Sequence, residues 1–159
     1  MNINIIAVGK IKEKYLKDAI EEYSKRLSRF CKLTITEIPD EPMSDKPSDS
    51  EKQAILKKEG EKIVSAIKNT DILVSLCVEG GQFESEKFAH FFSQECVKGA
   101  NTFTFVIGGS LGLSEEIKKM SSLRLSFSKM TFPHQLMRVI LLEQVYRAFK
   151  INANESYHK

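Results

Sequence analysis

Apolar residues arrive in short bursts of two spacings, and the alternation between them sets the architecture. Residues 3–8, INIIAV, are a run of Ile and Val too short for a helix and read as a strand. Over 12–30 the spacing changes. Ile11, Tyr15, Ala19, Tyr23 and Leu27 recur every four residues, marking one face of a helix. Residues 33–38, LTITEI, alternate again as a strand. PDEPMSDKPSDSE then breaks the pattern; its three prolines and its Asp and Ser residues predict a long loop. Ser50 is placed to cap a helix over 51–68. ILVSLCV at 72–78 is a strand closed by Glu79-Gly80-Gly81, and 84–97 is a helix with Phe88, Phe91 and Phe92 inward. FTFVI at 103–107 is a strand that stops at Gly108-Gly109. Ser114 caps a short helix with an acidic start, 123–127 is a last strand, and Pro133 stands as the first residue of a helix reaching about Phe149.

Strands separated by helices predict an α/β fold with a largely parallel sheet. The strands are apolar on both faces, as a sheet covered on both sides requires. The chain, 159 residues, fits one domain spanning 1–159. Ligands of such sheets sit at the carboxyl ends of strands. Three loops fall there: Leu76 to Gly81, Gly108 to Leu113, and Phe127 to Phe132. The middle one, VIGGSLGL at 106–113, has no lysine in the position of a phosphate loop, and its glycines have the wrong spacing for a dinucleotide loop. It reads as a ligand loop without a phosphate signature, with Gly108 and Gly109 clearing space for the ligand. The last helix carries Leu136, Met137, Val139, Ile140, Leu141, Leu142, Val145, Tyr146 and Phe149, more than one sheet-facing stripe needs. Either it is the central helix of the domain or its surplus lies in a two-fold dimer interface. Glu143 and Arg147 are spaced to pair on its polar edge.

Composition is ordinary for a globular chain, with 42% apolar and 28% charged residues. No apolar run approaches the roughly 18 residues of a membrane span. The N-terminus lacks the basic region and cleavage site of a signal peptide, so the expected compartment is the cytoplasm, with no membrane partner. Cys31, Cys77 and Cys96 form no paired motif and are expected to be reduced, mostly buried thiols. Net charge is only +3, but residues 1–33 carry eight basic against four acidic side chains, 34–114 eight against thirteen, and 115–159 eight against four. Two basic ends brought together would make a basic face.

Candidate chemistry concentrates near the last helix. His134, at its N-terminus, faces the positive end of the helix dipole, which lowers its proton affinity; it suits a base, a hydrogen-bond donor or a cap. Arg138, four residues on, suits a phosphate or carboxylate if buried, or is a surface charge. Tyr157, His158 and Lys159 end the chain with an aromatic, an imidazole and an ammonium, a set suited to RNA, although such tails are usually disordered. His90 reads as structural. There is no H-E-x-x-H, no G-x-S-x-G and no acidic pair at metal spacing, so neither metal catalysis nor covalent hydrolysis is indicated.

IAVGK near the start, LCVEGGQFESEKFA, FVIGGSLGLS and SKMTFPHQLMRVILLEQVYRAFKI with a terminal YHK closely resemble the ribosomal large-subunit methyltransferase H family, small SPOUT-class enzymes, from Ile6 to Lys159. The resemblance implies methylation of N3 of a pseudouridine in helix 69 of 23S rRNA, with S-adenosylmethionine as donor and no metal. It implies a homodimer acting on 23S rRNA or the ribosome, and a SPOUT-type parallel sheet with a C-terminal trefoil knot, a topology otherwise rare. Cofactor contacts carry over to Leu76, Gly108, Phe127, Ser128, Lys129, Met130, Thr131 and Phe132. His134 and Arg138 carry over as catalytic residues, and Tyr157, His158 and Lys159 as RNA contacts. Cys77 and Gly81 stand where relatives often have Asp and Lys, and Ser156 where they have Pro. Two readings from other classes are a ribosome-associated module without methyl transfer, and a flavodoxin-like nucleotide hydrolase. The second wants a phosphate loop after the first strand, where VGKIKEKY supplies only Gly9.

Overall fold

The computed structural model describes residues 1–157. His158 and Lys159 of the expected RNA-contacting tail lie outside the described residues. The elements are β1 (Asn2–Val8), α1 (Lys14–Leu27), β2 (Lys32–Ile38), α2 (Asp49–Ala66), β3 (Ile72–Gln82), α3 (Ser85–Val97), β4 (Thr102–Ile107), α4 (Glu115–Met120), β5 (Leu123–Ser126) and α5 (His134–Asn152). The strands form one sheet in the order β2-β1-β4-β3-β5, with every pair parallel. This is the α/β parallel architecture expected from the alternation.

The two faces of the sheet carry separate cores. Successive side chains on a strand point to opposite faces. Ile3, Ile5 and Ala7 therefore join Phe103, Phe105 and Val74 on one face, while Ile6, Val8, Leu73 and Val106 serve the other. The first face is covered by α1, α3 and α5, with α5 packed against both of the others. Its apolar surplus has that explanation: Leu141, Leu142, Val145 and Ala148 meet the sheet, and Phe149 contacts Phe30 and Phe92 at ring-centroid distances of 5.5 and 5.9 Å. The central-helix reading accounts for most of α5; Leu136 nevertheless stays 37% exposed. The second face is covered by α2 and α4.

Four local expectations shift. Helix α1 starts at Lys14, with Leu16, Ala19, Ile20, Tyr23 and Leu27 inward; Tyr15 is 69% exposed, because a strict four-residue spacing drifts off a 3.6-residue helix. The cap of α2 is Ser48, whose hydroxyl accepts the Glu51 N–H at 3.2 Å, while Ser50 lies in the first turn. Pro133 is the cap of α5 rather than its first residue, and the helix runs on to Asn152. Strand β3 reaches Gln82, because after a register break between Leu76 and Gly81 it rejoins β5 at Leu125 and Ser126. Of the cysteines only Cys31 is fully buried; Cys77 and Cys96 are half-buried.

Candidate functional site

The three strand-end loops converge. β3, β4 and β5 are neighbours in the sheet and run the same way, so their carboxyl ends open on one place. A cavity of about 340 Å³ lies there, lined by Leu76 to Glu79, Ile107 to Leu113, and Leu125 to Ser128 with Met130 to Phe132. Of the eight residues expected at the cofactor, seven line it; Lys129 does not. His134 and Met137 of α5 close one side.

The wall is apolar apart from backbone groups and a few polar side chains. Among the described residues its one cation, Lys118, is engaged by Glu79 and by Glu115, the latter at 3.0 Å. A lysine so neutralised is poorly placed to attract a phosphate. Cys77, which replaces the expected acidic residue, has its thiol pushed up by burial and by Glu79. It stays a neutral, weakly polar part of the wall.

The glycine loop has a different logic from the one its sequence suggested. A Cβ on Gly108 would stand 2.2 Å from the carbonyl oxygen of Gly112. Gly112 N–H donates to Gly109 O at 3.0 Å, and these two residues form an isolated antiparallel bridge. Gly108 is therefore required first by the loop folding back on itself, and the shape offered to a ligand follows from that closure.

His134 and Arg138 are brought together with the end of β1. Gly9, at φ +88°, turns the chain so closely past the imidazole that a Cβ there would lie 3.2 Å from His134 Nε2. Arg138 is 1% exposed, which settles the choice between buried and surface cation. Its guanidinium donates to Glu37 Oε1 at 2.7 Å, to Val8 O at 3.1 Å and to Gly9 O. Glu37 Oε1 also accepts the Ile11 N–H at 3.0 Å. Arg138 thus ties α5 to the ends of β1 and β2, and it borders no described cavity. His134 has its proton affinity lowered, by burial first and by the Arg138 charge second, with Asp40 opposing. The direction matches the expectation from the helix terminus; the physical causes are burial and a buried cation.

Tyr157 docks on the far part of α5. Its ring meets Tyr146 edge-on at 4.9 Å, Arg147 stacks over it at 4.8 Å, and its hydroxyl donates to Glu143 at 3.2 Å. The expected Glu143–Arg147 pair is present. Tyr157 is packed where the sequence suggested a loose tail, and none of these partners lines the cavity. His90 is exposed on α3, away from the loops. Sequence reasoning passed over Glu59, a buried carboxyl on α2 beside the glycine loop. Its only signal was a charged residue on the apolar side of α2, next to Gly60 and Ile63. Among the described residues no helix is long and apolar enough to cross a membrane, and no group of three side chains is arranged to hold a metal.

A family model described as predicted SPOUT methyltransferase matches residues 1–158. A ribosomal RNA large subunit methyltransferase H 1 of Clostridium perfringens (strain SM101 / Type A) is 57% identical over 159 residues, covering 100% of both chains. Proteins named ribosomal RNA large subunit methyltransferase H from Clostridium acetobutylicum and Streptococcus sanguinis are 55% and 52% identical over the same full lengths. Among solved structures, a protein described as a probable methyltransferase from Bordetella pertussis Tohama I is similar with a TM-score of 0.59 at 11% identity, covering 92% of this chain and 95% of that one. A Legionella pneumophila methyltransferase solved with bound S-adenosylmethionine is similar with a TM-score of 0.50 at 13% identity, covering 94% of this chain and 66% of that one.

Proposed function

The chain belongs to the SPOUT methyltransferase family, with ribosomal RNA large subunit methyltransferase H proteins as full-length relatives, and on that premise we propose that it methylates N3 of a pseudouridine in helix 69 of 23S rRNA. The observation that supports this best is the strand-end cavity, where three loops offer backbone groups and apolar walls and Lys118, the one lysine among the described residues there, is already neutralised. That donor set fits S-adenosylmethionine, which presents an adenosine, a methionine and a sulfonium but no phosphate. Leu76, Gly108 and the segment Phe127 to Phe132 would hold it, with the backbone of Lys129 completing the segment.

When bound, S-adenosylmethionine supplies a methyl group already activated by its sulfonium. The protein's work is then to position and to move a proton. The pseudouridine N3 proton must leave as the nitrogen takes the methyl. His134, kept neutral by burial and by Arg138, is a base at the cavity able to accept it, directly or through water. Arg138 acts as a positioning residue, fixing the first turn of α5 against Gly9. Tyr157, with His158 and Lys159 beyond it, contacts the RNA.

The proposal extends to a single domain over 1–159, a homodimer in the cytoplasm, and a C-terminal trefoil knot. Support for the dimer comes from the part of α5 left exposed around Leu136. Support for the knot comes from the match of residues 1–158 to the SPOUT family model. The decisive experiment is mass spectrometry of the 23S fragment containing helix 69, incubated with S-adenosylmethionine with and without the protein. A gain of one methyl at the pseudouridine is expected; no mass difference would overturn the proposal.

A further inference from the structure

A second cavity, about 230 Å³, adjoins the first, and the two share Gly109, Ser110, Leu111 and His134. Its other wall comes from the segment after β2, including Asp40 and Glu41, and from Ile55 and Glu59 of α2. Glu59 is 5% exposed. One carboxylate oxygen accepts the Glu41 N–H at 3.0 Å. The other, Oε2, makes no hydrogen bond and lies 3.6 Å from where a Cβ on Gly109 would stand. Among the described residues no cation pairs with it; Lys62, close by, engages Glu41 instead. Burial accordingly pushes the Glu59 carboxyl up, against the weaker pull of the Glu41 N–H. Glu59 thus turns one acceptor towards this cavity that no described side chain or backbone group uses.

We propose that this second cavity seats the methyl-accepting base, and that Glu59 Oε2 accepts a hydrogen bond from a ring N–H of that base. The inference rests on the methyl-transfer reading above. Among the described residues the wall offers a phosphate no cation and sets Asp40 against it, while Ile55, Met43 and Leu111 suit a flat ring. The volume is below the roughly 300–1,000 Å³ of drug-sized sites and fits one ring with its immediate surroundings. Pseudouridine is joined to its ribose through carbon and keeps two ring N–H groups, N1–H and N3–H. Uridine keeps only N3–H. An acceptor facing N1–H therefore distinguishes the two, and it leaves the N3 edge for the shared boundary where His134 stands. Glu59 becomes the specificity-determining residue for the acceptor.

The test uses the full chain and Glu59→Gln, which retains an oxygen for the Glu41 N–H but turns the free acceptor into a donor. Three readouts are compared with wild type: thermal unfolding, S-adenosylmethionine affinity by calorimetry, and kcat/KM on helix 69 fragments carrying pseudouridine or uridine at the target. Expected are an unchanged or raised Tm and cofactor affinity within about threefold. On the pseudouridine fragment kcat/KM should fall about tenfold to a hundredfold, with the pseudouridine-to-uridine ratio moving towards one. A second variant, Ile55→Trp, fills the cavity and should block transfer while sparing cofactor binding. Unchanged kcat/KM in Glu59→Gln overturns the inference, and so does an equal loss on both fragments, which assigns a structural role. Loss of cofactor affinity in step with activity also overturns it, assigning the cavity to the cofactor's ammonium group. Wild type that transfers no methyl to either fragment fails the underlying reading itself, and takes the inference with it.

Discussion

His134 is held neutral by its surroundings, and that decides both when it accepts a proton and how it affects folding. Its proton affinity is below that of an ordinary imidazole, about 6.5. The unfolded chain therefore binds more protons than the native one in the window just below that value, and stability rises with pH through it. Thermal unfolding between pH 5 and 7 should show that rise, and His134→Gln should flatten it. The same variant should remove the acidic limb from the pH profile of kcat/KM, whose midpoint in wild type is expected below about 6.5. Gly9 and Gly108 make separable predictions. Gly9→Ala forces an L-residue to φ +88° and presses on the imidazole, so it should cost about 1–2 kcal/mol and slow transfer while the cofactor still binds. In Gly108→Ala the added methyl meets Gly112, so the loop itself opens and calorimetry should find cofactor affinity lost.

At the scale of elements, strands and helices were legible because each obeys its own period, but their ends were not. Ser48 and Ser50 look equally good as caps in sequence; only the hydroxyl of Ser48 meets a free helical N–H. Ser48→Ala should lower stability by about 1 kcal/mol and Ser50→Ala by a few tenths, measured by denaturant unfolding. The extension of β3 past its glycines was hidden because pairing with β5 resumes only after a register break, a tertiary event with no local pattern. The same holds for the site. Leu76, Gly108 and the 127–132 loop were legible from their places after strands. The partners of Arg138 were not, because Glu37, Val8 and Gly9 are more than a hundred residues away in sequence, and Glu59 carried no motif at all. Arg138→Met should remove the tie between α5 and two strand ends and leave Glu37 without its cation. A loss of roughly 2–4 kcal/mol is expected by urea unfolding.

On the whole molecule, the uneven charge along the chain was visible from the start, but the way the ends are held was not. Arg29 at the end of α1 pairs with Glu155 at 2.6 Å, and Lys150 pairs with it too, so the C-terminal segment is fastened across the ends of two helices. Removing residues 157–159 should weaken helix 69 binding while leaving cofactor affinity intact; equal loss of both would show that the tail supports the fold instead. The position of α5 between α1 and α3 carries one more consequence, concerning time rather than place. It is the last of the described helices in sequence, yet it fills the middle of one face of the sheet. Without it, the inner sides of α1 and α3 meet only the sheet, and the middle of that face stays uncovered. The core of that face closes only through contacts between segments far apart in sequence. With so many long-range contacts to close, the chain is expected to fold slowly for its size and to be prone to aggregate until they form.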